Sequence, residues 1–103
     1  MTKFKYKENE ILFEIEEYIE STYSQHYKSK KTDMQAVDVW EALGTLEMTA
    51  RDNSLKYLLR YGKKDGKNKK DLLKAIHYII LMIYTFEEES KNASASWITI
   101  YFY

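Results

Sequence analysis

No proline interrupts this chain, and only three glycines occur in its 103 residues. Proline removes a backbone donor and glycine loosens the backbone, so their scarcity removes the usual breaks between short elements. Long uninterrupted segments are expected, and helices fit them best. Residues 8–23, "ENEILFEIEEYIESTY", place Ile11, Ile15, Tyr18, Ile19 and Thr22 at helical spacing, with Glu14, Glu16, Glu17 and Glu20 mainly elsewhere on the wheel. The polar "SQHYKSKKT" breaks the period and reads as a loop. A second, short helix opens on a Thr32 to Gln35 capping-box pattern, turns Val37, Trp40 and Leu43 inward and stops at Gly44. A third begins near Thr45 or Thr49 and ends at Gly62, which suits a left-handed C-terminal cap. The linker "KKDGKNKK" leads into a fourth helix from about Lys69 to Glu89.

The last residues change period. In "SWITIYFY", Trp97, Thr99, Tyr101 and Tyr103 alternate with Ile98, Ile100 and Phe102, which is strand-like in both spacing and residue type. A lone strand needs a partner, either the N-terminal "KFKYK" or the same strand of another subunit. The end of helix four is apolar all round, with Leu81, Met82 and Tyr84 beside or opposite Ile76, Ile79, Ile80 and Ile83, and a helix apolar on every side is expected to be buried on every side. The expected fold is therefore mainly α: a compact bundle of about four helices with a short C-terminal β-strand, a single domain over 1–103, assembled as a homo-oligomer.

Composition narrows the function. Sixteen basic residues balance sixteen acidic ones, so no overall field draws the chain to nucleic acid or an anionic membrane, and any electrostatic function must be local. The absence of cysteine removes disulfides, thiolate zinc sites and cysteine nucleophiles. "MTKFKYKENE" has no apolar signal region, and "AIHYIILMIYTF" is far shorter than the roughly 20 residues of a membrane span. A cytoplasmic protein with its native N-terminus is expected. "GKKDGKN" has three residues between its glycines and Asn68 after the lysine, so it is not a P-loop. Glu14, Glu17 and Glu20 have a spacing that can hold magnesium in a bundle, although a solvated acidic face is the commoner use.

Cations and amides concentrate around one turn. Asn53, Lys56 and Arg60 share a narrow arc of helix three, opposite Leu55, Leu58 and Leu59. Lys70, Lys74 and His77 share an arc of helix four beside Tyr78, opposite Leu72, Leu73, Ile76, Ile80 and Ile83. If the two helices pack antiparallel through their leucine and isoleucine faces, these polar arcs flank the junction. The turn adds Lys63, Lys64, Lys67 and Lys69, and the free amides that open helix four attract anions through donors and dipole. Phosphate suits such a place, with Arg60 gripping it in bidentate fashion and Lys56 acting as a point charge. Tyr27, Tyr57, Tyr61 and Tyr78 are candidates to stack on a base. The plainer alternatives are a solvated lysine-rich loop, a structural His77, and Lys56 and Arg60 paired with Asp52 or the glutamates of helix one.

Taken in order, "QHYKSK", "QAVDVWEAL", "RDNSLKYLLRYGKKDG" and "KDLLKAIHYI" resemble a small phage family described as nucleotide kinase-like, many of whose members have no assigned function. The resemblance spans about residues 25–80 and leaves the tail from Ser90 outside. Its pattern falls on His26, Tyr27, Asp38, Asn53, Lys56, Tyr57, Arg60, Gly62, Lys63, Lys64, Asp71, Lys74, Ala75 and Tyr78. The chain departs from it at Asp52, where the family often has glycine.

The resemblance implies phosphoryl transfer from a nucleoside triphosphate to a nucleoside monophosphate, in a host bacterial cytoplasm. Lys56, Arg60, Lys63 and Lys64 would neutralise the transferring group, with ATP-bound Mg2+ held by phosphates and a carboxylate such as Asp52 or Asp71. His26 would orient or deprotonate the acceptor, and Tyr27 and Tyr57 would stack on the base. The alternative needs no cofactor: an oligomeric sponge that sequesters a nucleotide or nucleotide-derived defence signal. The residues expected at the ligand are Tyr27, Asn53, Lys56, Tyr57, Arg60, Lys63, Lys64, Lys74 and His77. A third expectation is an interaction module that recruits a partner by strand addition through the tail.

Overall fold

The structure, a computed structural model, describes residues 3–29, 35–63 and 66–92. The chain is mainly helical, and its described residues form four helices in the order α1 (Glu8–Ser29), α2 (Ala36–Leu43), α3 (Leu46–Arg60) and α4 (Lys69–Asn92). No strand occurs among the described residues, and residues 3–7 form a turn rather than a strand. The strand expected in "SWITIYFY" lies outside the described residues.

Glycine sets two of the helix ends. Gly44 has φ 77° and caps α2, its N–H donating to the carbonyl of Glu41 at 3.1 Å, while Thr45 N–H reaches the carbonyl of Trp40 at 2.9 Å. Gly62, at φ 84°, follows α3 and donates to the carbonyl of Gly66 at 2.9 Å, which turns the chain back into α4. Asn68 opens α4 by accepting the Lys70 N–H at 2.9 Å. At the start of α2, Asp38 Oδ2 accepts the Gln35 N–H at 2.9 Å. The cap therefore sits at Gln35 and Asp38 rather than at the expected Thr32 and Gln35, and Thr32 lies outside the described residues.

α1 runs on to Ser29, through the stretch from Ser24 that polarity suggested was a loop. Nothing in that stretch stops the backbone, because it contains neither glycine nor proline. Polarity breaks an apolar stripe; it does not break a helix.

The main interface is the antiparallel pair α3 and α4, and α1 and α2 pack on it more sparsely. The pair does not meet through its leucine and isoleucine faces, as the wheel suggested. The buried residues are Leu46, Ala50 and Ser54 of α3 and Asp71 and Ala75 of α4, with Ala50 0% and Ala75 1% exposed. Small side chains let two backbones approach closely, so the seam forms where the side chains are shortest. Leu55, Leu58 and Leu59 are left exposed, as are Ile79, Ile80 and Ile83. Within a single chain the end of α4 is therefore not buried on every side, since Ile79, Ile80 and Ile83 stay exposed; the burial expected there was between subunits. Outside the seam, Ile15 is the one buried hydrophobic residue among the described side chains of α1, Val37 and Trp40 are half-buried, and Leu43 is exposed.

Candidate functional site

The polar arcs of α3 and α4 flank this seam on one side, and α1 and α2 close over that side. Between the four helices lies a pocket of about 450 Å³. α4 contributes Lys70, Lys74, His77 and Tyr78, which recur about once per turn along one face. α3 contributes Tyr57; α1 contributes Tyr18, Ser21 and Thr22; the start of α2 contributes Asp38, preceded by its cap Gln35.

Aromatic rings form the floor. Tyr57 stacks on Tyr78 with centroids 6.1 Å apart and planes 11° off parallel, and Tyr18 meets His77 edge-on at 6.2 Å. Burial raises the pKa of the Tyr78 phenol, helped by Tyr57 and Tyr18; burial, then Tyr57, does the same at Tyr18. Both phenols therefore remain hydrogen-bond donors at neutral pH. Burial also pushes the His77 imidazole below its ordinary 6.5, so the ring is neutral there and can accept a proton.

Three cations converge on one ring, and of these Lys74 lines the pocket while Lys56 and Arg60 lie beside it, outside its lining. Lys56 Nζ lies 4.6 Å, Lys74 Nζ 5.3 Å and the Arg60 guanidinium carbon 5.4 Å from the centroid of Tyr57. Each contact contributes about 0.5–1 kcal/mol at an exposed site, but the cations repel one another. The ion pairs among the described residues are Lys69 with Glu14, at 2.9 Å, and Lys91 with Glu88, at 3.4 Å. Lys56, Arg60 and Lys74 take part in neither, so the pairing with Asp52 or the α1 glutamates that composition allowed is not made.

The other expected residues are placed as follows. Asn53 donates to the Thr49 carbonyl at 2.8 Å, so its amide serves its own helix. Lys63 is exposed beyond the end of α3, and Lys69 is held by Glu14. Asp52 is exposed on α3 and Asp71 is buried in the first turn of α4, and neither lines the pocket. No cluster of three metal-ligating side chains occurs among the described residues, Glu14, Glu17 and Glu20 included. Lys64 and the side chains of His26 and Tyr27 lie outside the described residues.

Sequence reasoning missed the contributions of α1 and α2. Tyr18 and Thr22 sit four residues apart on the apolar stripe of α1, which read only as core. Gln35 read only as part of a cap, yet its Nε2 is buried at the pocket wall with no hydrogen-bond partner among the described residues. Such an orphaned donor costs roughly 1–3 kcal/mol until an acceptor reaches it.

Residues 21–80, sixty of the 103, match a protein family of unknown function, DUF3310, and the chain belongs to that family. This corrects the expected kinship: the segment that resembled a nucleotide kinase-like phage family falls within DUF3310, and nothing links the chain to a kinase family. No curated protein and no solved structure matches the chain.

Proposed function

We propose that the pocket binds a nucleotide or a nucleotide-derived small molecule and releases it chemically unchanged. The observation that carries this reading is the convergence of Lys56, Arg60 and Lys74 on Tyr57 with no carboxylate paired to them among the described residues. Three like charges held together attract a multiply charged anion, and phosphate oxygens satisfy both the charge and the donors. Tyr57 and Tyr78 beside them supply a face for a base. A volume near 450 Å³ falls within the 300–1,000 Å³ of typical small-molecule sites.

A second reading is phosphoryl transfer with Mg2+ and ATP, favoured by one observation, the neutral His77 at the pocket wall. Retention is preferred because Asp38 is the one carboxylate among the described lining residues, and its Oδ2 already accepts the Gln35 N–H. The test is to incubate the purified protein with a panel of nucleoside mono-, di- and triphosphates, with and without Mg2+, then denature it and resolve every small molecule. Ligand retained by the native protein and recovered unchanged is the expected result. New di- or triphosphates appearing only with Mg2+ would replace this reading with the kinase one.

A further inference from the structure

The α3 and α4 pair has a second long side, facing away from the pocket. At 3.6 residues per turn, the residues flanking the small-residue seam opposite the lysines are Leu55 and Leu58 of α3 and Leu72, Ile76, Ile79 and Ile83 of α4. Leu55, Leu58, Ile79 and Ile83 are between 40% and 53% exposed, and Leu59 and Ile80 extend the patch at its flanks. The buried hydrophobic residues among those described are Ile15, Leu46, Ala50 and Ala75, and no large side chain is fully buried. More apolar surface therefore lies outside the seam than inside it.

We propose that a second copy of this chain docks on this face, so that two α3 and α4 hairpins form a four-helix bundle with the two pockets outermost. Two antiparallel helices with one open apolar side are half of such a bundle. The exposed side chains amount to on the order of 500 Å² of apolar surface, which matches the apolar share of the ~800 Å² each partner gives to a standard interface. The rim carries both signs, with Arg51 and Asp52 on α3 and Glu87 on α4, and the chain has no net charge to oppose self-association. Residues 93–103 are the other apolar part of the chain and lie outside the described residues. A second hairpin brings every backbone bond with it.

Sedimentation equilibrium of the full chain at tens of micromolar tests the proposal. The expected result is twice the chain mass, with Leu58→Glu/Ile83→Glu weakening association at least 100-fold while circular dichroism keeps its helical signal. The chain has no cysteine, so single-cysteine variants serve as a second measurement independent of that variant's folding. Ile79→Cys should cross-link to a second copy through a short bismaleimide, and Glu16→Cys on exposed α1 should not. A monomeric wild type, a dimer that survives the double substitution, or cross-linking at position 16 but not at 79 would overturn it.

Discussion

At the residue scale, His77 shows how position changes what a side chain does. From sequence it was one histidine on a mixed helical face, as well suited to structure as to chemistry. The structure puts it edge-on to Tyr18 and beside Tyr78, on the pocket face that also carries Lys70 and Lys74. Burial lowers its pKa in the folded protein, so as pH falls the unfolded chain takes up the proton first. The stability that depends on a neutral ring is complete above the unfolded value near 6.5 and is lost progressively below it. Melting temperatures of the wild type and His77→Gln, measured from pH 7.5 to 5, should separate, with the wild type falling more steeply below about 6.5. Parallel curves would show that the ring titrates as it does in the unfolded chain. Lys56 with Arg60, and Lys70 with Lys74 and His77, could be grouped from sequence because each set lies on one arc of its own helix wheel, whereas Tyr57 entered only as a stacking candidate. Tyr18 and Gln35 could not be found this way, since no wheel shows which helices will close over a polar arc.

At the element scale, helix number, most helix ends and the turn between α3 and α4 could be read directly, because Gly44 and Gly62 are needed where the backbone enters the left-handed region. The packing face could not. Reading the largest apolar side chains as the contact face overlooked Ala50, Ser54 and Ala75, whose shortness lets α3 and α4 approach. This account makes Ala75 more sensitive than any of the exposed leucines. Ala75→Leu should destabilise the protein by about 1–3 kcal/mol in urea denaturation, as overpacked interiors do. Leu59→Ala, at a residue 65% exposed, should change stability little when assayed at concentrations where the chain is monomeric. Equal losses at the two positions would mean that the seam is looser than its 1% exposure at Ala75 implies.

At the scale of the whole molecule, the hairpin separates two surfaces. One side gathers cations and phenols under α1 and α2, and the other leaves leucine and isoleucine exposed, the face proposed above for a second copy. No described helix is long and apolar enough to cross a membrane. The DUF3310 match covers Tyr57 of α3, most of the α4 pocket face, the start of α2, and Ser21 and Thr22 of α1, but it leaves Tyr18 and the far end of α4 outside. The central claim is that the pocket binds a nucleotide, and isothermal titration of AMP, ADP and ATP into wild type, Lys74→Met, Tyr57→Leu and Asp52→Asn tests it most directly. The account predicts saturable binding at one site per chain, weakened at least about tenfold, or ~1.4 kcal/mol, by each pocket substitution and unchanged by Asp52→Asn. No binding of any of the three, or binding that Lys74→Met and Tyr57→Leu leave intact, would contradict it.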